Sequence, residues 1–249
     1  MQCLLRVHLG AMGKNNYFEM KQMRIEQKDC AMKVSTDACI LGAWTPIPSL
    51  CKNILDIGAG TGLLSLMLAQ RNENVQIDAI EIEPKAAAEA TLNVSNSKFE
   101  KQIKIHQQNI SSWQGDKKYE LIICNPPFFS NSLRSENEQR KLARHNDFLN
   151  PKALSEAISK YLSPNGYASI LIPTSEELVF GNAFSESKLF TAKRLLIKPF
   201  GHSFANRAVY YLSKIAPEII TDETLIIYEK EKTYSDNFSL LMKPFYLHL

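Results

Sequence analysis

Short apolar runs alternate with helix-like segments from residue 53 onward, and the runs predict strands buried inside a parallel sheet. The runs are Asn53–Ile57, Val75–Ile80 and Tyr119–Cys124, and Ile103–Gln107 reads as a further strand. Amphipathic stretches follow the first two runs, at Leu63–Ala69 and at Lys85–Asn93, where Pro84 opens the helix. Strands that alternate with helices in this way predict an α/β fold of the doubly wound type.

The second half of the chain continues this alternation and then ends it with two consecutive strands. The predicted elements are helix Pro151–Leu162, strand Tyr167–Ile172, helix Ser175–Lys188, strand Leu189–Lys198 and strand Arg207–Lys214. We expect the last two strands to pair antiparallel across Pro199–Asn206. The result is a Rossmann-like, seven-stranded, mostly parallel sheet with an antiparallel last strand, to which Leu225–Tyr228 can add an edge strand.

The segment before residue 50 gives weaker signals. Tyr17–Gln27 alternates loosely and fits either a short hairpin or an amphipathic arm. Ser35 or Thr36 can cap a helix that Pro46 and Pro48 end. Three residues around this helix start are candidates for lining a site, and they are Lys33, Thr36 and Asp37.

Composition limits the class of protein. The chain has 249 residues, 45% hydrophobic and 22% charged, which is ordinary for a globular domain. We expect one domain over 17–249 with a substrate-binding arm over 17–50, preceded by a disordered or non-native extension over 1–16. Met12 is an alternative start. No apolar run approaches the ~20 residues that span a bilayer, which predicts a cytoplasmic protein.

Cysteine spacing and charge narrow the possible partners. The five cysteines form no C-x-x-C pair, so we expect reduced core thiols and no metal site. The net charge of +3 is carried by the first 33 residues, and the remainder is neutral overall. A polyanionic partner must therefore be bound by local basic patches. No obligate protein partner is evident.

A glycine-rich turn follows the first buried strand. Gly58, Gly60 and Gly62 alternate after Asp56, and glycine lets the backbone turn sharply and approach a ligand closely. Glu81 ends the second strand, where an acidic residue reaches ribose hydroxyls in doubly wound folds. A carboxylate at Asp56 disfavours a phosphate and favours a cationic ligand. The pattern therefore indicates S-adenosylmethionine rather than a nicotinamide dinucleotide, and a class I methyltransferase core.

A rigid corner ends the fourth strand at Asn125, Pro126, Pro127 and Phe128. Both prolines fix their φ angle and lack an N–H donor, so the strand must stop there. The Asn125 side-chain oxygen and the Pro126 carbonyl can accept the two N–H groups of an exocyclic amine, while Phe128 stacks on its ring. Such bonds return electron density to a poorly nucleophilic amine. The corner and the glycine turn are expected to share one crevice.

Other candidate contacts carry less specific signals. Asn109 follows the third strand, where it can accept the amine of the cofactor's adenine or simply form a turn. A long polar segment over Phe129–Phe148 and the aromatic-rich connection near Pro199–Asn206 both carry basic residues suited to RNA phosphates. The candidate RNA contacts are Arg140, Arg144, His145, Lys193, Arg194 and Arg207.

These motifs together resemble the bacterial tRNA1(Val) adenine-37 N6-methyltransferases, from Phe18 to the C-terminus. The resemblance rests on Met20–Met23, Cys30–Asp37, Leu41–Trp44, Leu55–Leu64, Asp78–Glu83, Asn125–Phe128 and Phe245–Leu247. It implies S-adenosylmethionine as cofactor and methylation of N6 of the adenosine beside the anticodon of a valine tRNA. It also implies that Asp56 and the three glycines bind the cofactor, Glu81 its ribose, and Asn125–Phe128 the target adenine.

The chain departs from the family pattern at Asn109, where Asp is usual, and at Phe128, where Tyr also occurs. Asn-Pro-Pro-Phe or -Tyr is also found in enzymes that methylate guanine N2 of ribosomal RNA or a release-factor glutamine. Those enzymes usually carry a duplicated half or a helical N-terminal domain, and neither is evident here. A non-catalytic RNA-binding protein on the same scaffold is a further alternative.

Overall fold

The computed structural model describes residues 15–30, 32–127 and 149–249. Its strands are β1 (Tyr17–Glu19), β2 (Arg24–Glu26), β3 (Asn53–Ile57), β4 (Gln76–Glu81), β5 (Ile103–Gln107), β6 (Tyr119–Cys124), β7 (Leu162–Pro173), β8 (Phe190–Phe200), β9 (Arg207–Ser213), β10 (Thr221–Lys230) and β11 (Thr233–Tyr234). Its α-helices are α1 (Thr36–Trp44), α2 (Leu63–Arg71), α3 (Pro84–Ser95), α4 (Pro151–Tyr161), α5 (Glu177–Glu186) and α6 (Asp236–Met242). Short 3-10 turns cover Glu100–Gln102, Ile110–Ser112 and Thr174–Glu176.

Nine of the described strands form one sheet, in the order β11-β10-β8-β9-β7-β6-β3-β4-β5. Strands β5, β4, β3, β6 and β7 are parallel, and β9 is antiparallel to both of its neighbours. The predicted doubly wound class I sheet is confirmed in these positions. The edge strand expected at Leu225–Tyr228 is present within β10, which pairs parallel with β8, and β11 then adds a strand that the sequence did not predict.

Helices cover both faces of this sheet. Along β6, Leu121 and Ile123 belong to the core that packs with α1 and α2, whereas Ile122 and Cys124 belong to the core that packs with α4 and α5. Successive side chains of a strand point to opposite faces, so an unbroken apolar run requires cover on both. This explains why the apolar runs identified the central strands.

Strand β7 begins earlier than the sequence predicted. We expected Gly166 to turn the chain into a strand at Tyr167, but the strand already starts at Leu162. Tyr119 pairs with Leu162 while Leu121 pairs with Tyr167, so β7 bulges between these two positions. A Cβ on Gly166 would lie 2.9 Å from the Tyr119 carbonyl oxygen, which is why the bulge carries glycine.

The N-terminal segment forms a hairpin, one of the two alternatives that its pattern allowed. Strands β1 and β2 pair antiparallel, with Phe18 opposite Ile25. Ser35, rather than Thr36, caps α1, and its hydroxyl accepts a 3.2 Å hydrogen bond from the Ala38 amide. The C-terminal segment packs nearby, where Phe245 accepts a 2.9 Å hydrogen bond from the Lys21 amide. The sequence predicted an N-terminal extension over residues 1–16, and residues 1–14 of it lie outside the described residues.

Within residues 15–30, 32–127 and 149–249, no helix has the length and apolar character needed to cross a membrane. The same residues contain no group of three or more His, Cys, Asp or Glu side chains arranged for a metal ion. Cys30, Cys39, Cys51 and Cys124 are buried and unbridged.

Candidate active site

The candidate site lies at the edge of the sheet where the parallel strands end. Ile57 at the end of β3 pairs with Cys124 at the end of β6 and with Ile80 in β4. The glycine turn follows β3, and Asn125 follows β6. The strand order reverses between β3 and β6, and ligands of doubly wound folds bind outside such a switch point. The predicted crevice is therefore formed by adjacent strands.

The three glycines of the turn have different surroundings. Gly58, Gly60 and Gly62 adopt φ angles of +74°, +55° and +80°, which L side chains rarely adopt. Among the described residues, a Cβ on Gly58 would meet only Leu149, at 4.0 Å, which leaves space at this point of the turn for a ligand. A Cβ on Gly62 would lie 3.5 Å from the Ala90 Cβ of α3. Gly62 therefore allows close packing of α3, whereas Gly58 leaves space.

Glu81 fastens the glycine turn to the tip of β4. One of its carboxylate oxygens accepts a 2.8 Å hydrogen bond from the Gly60 amide, and the other accepts a 2.9 Å bond from the Glu83 amide. A carboxylate has about four acceptor positions, so two remain for other donors. The buried Glu81 side chain thus fits a role in which it holds the turn and accepts hydroxyl donors of a ligand.

Asp56 is fully buried beneath the turn. Its Oδ2 accepts hydrogen bonds from the Ser65 amide at 3.2 Å and the Ser65 hydroxyl at 2.7 Å, which anchors the start of α2. Its Oδ1 is buried and has no hydrogen-bond partner among the described residues. Burial raises the pKa of this carboxyl to about 7, although the Ser65 bonds oppose the shift. A nearby cation would restore the ionised form.

Asn125 presents the second unpartnered acceptor of the site. Its Nδ2 lies 3.6 Å from the sulfur of Met32, and its Oδ1 is buried without a hydrogen-bond partner among the described residues. Burying an amide oxygen without a donor costs about 1–3 kcal/mol, so such atoms in native proteins call for an explanation. A ligand that brings an N–H group to this oxygen would remove the cost.

The segment joining β2 to α1 is fastened to α3 by two side chains that sequence reasoning missed. The Glu89 carboxylate accepts hydrogen bonds from the amides of Lys28, Asp29 and Cys30, at 2.6, 3.0 and 2.9 Å. Asn93 accepts from the Glu26 amide at 2.8 Å.

The Asn93 amide group also donates to the carbonyls of Glu26 and Thr61, each at 2.9 Å. Thr61 belongs to the glycine turn, so this one side chain joins the N-terminal segment to the turn. The Cys30 sulfur lies 3.6 Å from the position of a Cβ on Gly60. The segment therefore runs from the glycine turn to Met32, beside Asn125. The sequence did carry a signal for these contacts, because Glu89 and Asn93 are polar residues four positions apart on the alanine-rich α3.

The candidate site residues around the start of α1 contact other parts of the protein. Asp37 forms an ion pair with Arg207, with 3.3 Å between Oδ2 and Nε. Burial raises the pKa of the Asp37 carboxyl, and the Arg207 charge opposes that rise. Lys33 donates to the Asn15 carbonyl at 3.3 Å, and Thr36 is the first residue of α1. The structure thus brings a proposed cofactor contact, Asp37, together with a proposed RNA contact, Arg207.

Three other predicted residues are engaged away from the turn. Asn109 caps a 3-10 turn, accepting a 2.9 Å hydrogen bond from the Ser111 amide. Lys193 pairs with Glu223 at 2.7 Å, and Arg194 pairs with Asp222 at 2.7 Å. These ion pairs fasten β8 to β10. Phe128, Arg140, Arg144 and His145 lie outside the described residues.

Comparison with known proteins extends these observations. The model of the family described as "Methyltransferase small domain" matches residues 44–152. A relative in Shewanella sp. (strain MR-7) is 39% identical over 93% of this chain and 99% of its own length. A relative in Aliivibrio fischeri (strain MJ11) is 41% identical over 93% of this chain and 98% of its own. Both are named tRNA1(Val) (adenine(37)-N6)-methyltransferase.

The chain belongs to the tRNA1(Val) (adenine(37)-N6)-methyltransferase family. The resemblance identified in the sequence is therefore confirmed over nearly the whole chain. Solved structures confirm the fold. A protein described as a predicted O-methyltransferase, from Agrobacterium tumefaciens, superposes with a TM-score of 0.68 at 18% identity, covering 84% of this chain and 96% of its own.

Proposed function

We propose that the protein transfers a methyl group from S-adenosylmethionine to N6 of adenosine 37 in tRNA1(Val). Family membership supports the reaction and the substrate. The structural observation that carries the proposal is the buried Oδ1 of Asn125, at the end of β6 beside the glycine turn, which has no hydrogen-bond partner in the part of the chain that the structure describes. The chemistry of N6 methylation requires an acceptor at this place.

The described residues fit the cofactor. Gly58 and Gly60 give a turn with positive φ that leaves room for a ligand, and Glu81 has acceptor positions for ribose hydroxyls. Asp56 Oδ1, which has no hydrogen-bond partner among the described residues, suits the cofactor's amino group. Asp56 can bind that group directly, or it can act indirectly by anchoring the start of α2. Bound S-adenosylmethionine supplies an electrophilic methyl group on a sulfonium.

The cofactor contacts proposed outside the turn are less completely assigned. Lys33, Thr36 and Asp37 surround the start of α1, and Asn109 follows β5 at the same edge of the sheet. Asn109 accepts one hydrogen bond from its own turn, which leaves further acceptor capacity on its side-chain oxygen. We propose these four residues as outer contacts to the cofactor.

The corner at Asn125 would activate the target amine. Asn125 Oδ1 and the Pro126 carbonyl accept one N–H bond each from N6, which keeps its lone pair on nitrogen and directs it at the methyl carbon. Phe128 stacks on the base, and Pro127 fixes the backbone between them. The corner would hold N6 in line with the methyl group that the cofactor supplies, and one N6 proton would pass to water as the methylated amine forms. Alignment of the reacting atoms supplies much of the rate.

The basic residues proposed to contact RNA divide into three sets. Arg207 lies at the active-site edge, because it pairs in register with Pro173 at the end of β7. Arg140, Arg144 and His145 belong to the segment that directly follows the catalytic corner in the sequence. Lys193 and Arg194 remain candidates only if RNA displaces their partners on β10. We propose Arg207 as the first residue to test.

The proposal is tested by methyl transfer to tRNA. Purified protein and labelled S-adenosylmethionine are offered total tRNA from a strain lacking this gene, and the nucleosides are separated by mass spectrometry. We expect N6-methyladenosine in a valine tRNA. A valine tRNA transcript with guanosine at position 37 is the matched control and should remain unlabelled.

Other outcomes of the same experiment would replace the proposal. Label in ribosomal RNA, or in a release factor offered in parallel, would retain the amide-accepting corner but change the substrate. Bound cofactor with no label in any substrate would favour a binding protein on a methyltransferase scaffold.

A further inference from the structure

The connection between β8 and β9 extends beyond the active-site edge of the sheet. Arg207, the first residue of β9, pairs with Pro173 at the end of β7 and with Ile197 near the end of β8. Further down the same ladders, Ile170 of β7 pairs with Cys124 of β6. Residues 201–206 therefore project from the same edge as Asn125, past the ends of the parallel strands.

Aromatic side chains cluster on this connection, and we call Phe200, His202 and Phe204 the aromatic platform. The Phe200 and His202 rings are stacked, with centroids 5.6 Å apart and planes at 14°. The ring of Tyr228 in β10 also packs near Phe200, with 5.6 Å between the two ring centroids. Phe204 is 95% exposed, so its ring adds nothing to the core. A partner that stacks on rings would give this exposure a function.

The charge of the same stretch is uniformly basic. No Asp or Glu occurs from residue 187 to residue 217, whereas Lys198 and Arg207 flank the platform. On β8, Lys193 and Arg194 are compensated by Glu223 and Asp222. No ion pair of Lys198 is found among the described residues, so its charge is available to a partner at this edge. Arg207 is paired with Asp37. Exposed rings beside the charge of Lys198 are features that suit single-stranded nucleic acid.

We propose that the aromatic platform and Lys198 bind unpaired nucleotides of the substrate RNA next to the base that enters the site. The inference rests on the proposed function and adds a surface to it. Stacking suits this role because each base presents a π face, while Lys198 neutralises a backbone phosphate. An acidic protein partner would use the cations but would not require the rings.

Phe204→Ala is the decisive variant, since its ring is exposed and its loss leaves the core intact. The matched control is Ile219→Ala, which removes a side chain that is 79% exposed in the β9–β10 connection, at the opposite edge of the sheet. Binding is measured by fluorescence anisotropy with a labelled anticodon stem-loop of a valine tRNA. We expect Phe204→Ala to weaken binding about 5- to 150-fold and Ile219→Ala to leave it unchanged.

Lys198→Ala tests the electrostatic part. The variant should lower the slope of the logarithm of the binding constant against the logarithm of salt concentration by about one phosphate contact. Lys52→Ala, which lies before β3 at the opposite edge of the sheet, should leave this slope unchanged. In steady-state assays KM for RNA should rise in Phe204→Ala while kcat at saturating RNA is retained. Equal affinities of Phe204→Ala and Ile219→Ala would overturn the proposal, as would loss of kcat alone.

Failure of this inference is distinguishable from failure of the proposed function. An active wild-type enzyme with an unaffected Phe204→Ala variant overturns only the platform. A wild-type protein that binds the stem-loop through Phe204 but transfers no methyl group overturns the reaction and supports the platform.

Discussion

At the scale of single residues, two buried oxygens at the site, Asp56 Oδ1 and Asn125 Oδ1, have no hydrogen-bond partner among the described residues. Asp56 lies in β3, and Asn125 directly follows the adjacent strand β6. Unsatisfied acceptors are uncommon in protein interiors because each carries a desolvation cost. Gln70 Oε1 on α2 is a further buried oxygen of this kind. We propose that the two oxygens at the strand ends serve the ligands, and their roles can be separated by substitution.

Replacing Asn125 with alanine should abolish methyl transfer while leaving cofactor affinity nearly unchanged. The substitution removes the proposed acceptor for the N6 amine but leaves the glycine turn and Glu81 intact. Replacing Asp56 with alanine should instead weaken cofactor binding. Single-turnover transfer and calorimetric titration of the cofactor measure the two effects. Equal losses of cofactor affinity in both variants would contradict this division of roles.

The buried carboxyl of Asp56 should make stability depend on pH. Its pKa is about 7 in the fold and 3.8 ordinarily, so the native state holds a proton that the unfolded state has lost between these values. The free energy of unfolding therefore falls as pH rises from about 4 to about 7. Between pH 5 and pH 8 the wild type should lose roughly 2–3 kcal/mol more stability than Asp56→Asn.

Urea denaturation of both proteins at the two pH values measures this difference, since all other titrating groups are shared. The same change in both proteins would show that Asp56 is already ionised in the fold.

At the scale of elements, α3 fastens the N-terminal segment over the glycine turn. Glu89 and Asn93 lie on one face of this helix and bond to the backbone of residues 26–30 and to Thr61. The segment continues to Met32, beside Asn125. The helix thereby links the position of the turn to that of the corner at Asn125.

Replacing Glu89 with glutamine should loosen this segment. The amide group has one oxygen in place of two and adds donors that face backbone N–H groups, so about 1–3 kcal/mol of stability should be lost. Hydrogen exchange of the amides of Lys28, Asp29 and Cys30 should become faster, and cofactor affinity should fall. Glu100→Gln, at an exposed acid on a nearby 3-10 turn, is the matched control. Unchanged exchange at these three amides would show that the segment is held by other contacts.

At the scale of the whole molecule, the glycine turn directly follows a strand of the nine-stranded sheet, so ligand binding at the turn is linked to the stability of the whole domain. The turn connects β3 to α2, and β3 lies inside the sheet between β6 and β4. A ligand that binds only the folded state adds its binding free energy to the stability of the whole domain. The stability of the protein therefore reports whether its cofactor site is occupied.

S-adenosylhomocysteine, the demethylated product, should raise the melting temperature of the wild-type protein. At 100 times its Kd it adds about 2.7 kcal/mol, which corresponds to about 5–10 °C for a domain of this size. The shift should be smaller for Asp56→Ala at the same concentration and unchanged for Ile219→Ala. Differential scanning fluorimetry measures it, and a wild-type protein that shows no shift would refute cofactor binding.

The sequence alone determined the sheet class and the positions of the chemistry. Strand Tyr119–Cys124 has the bounds that its apolar run predicted, because burial on both faces leaves a local signature. The bounds of Ile103–Gln107 were also predicted, although this strand lies at the edge of the sheet and is mostly not buried. The glycine turn and the Asn-Pro-Pro corner were equally local, since positive φ and a missing N–H donor constrain which residues can stand there.

Tertiary structure alone decided which side chains meet. The ion pair of Asp37 with Arg207, the pairing of Lys193 with Glu223 and the three amides bound to Glu89 join residues far apart in the chain. Partner identity depends on strand order and register, which no local pattern reports. For the same reason β10 adjoins β8 in parallel, and the exposed Phe204 lies at the edge of the site.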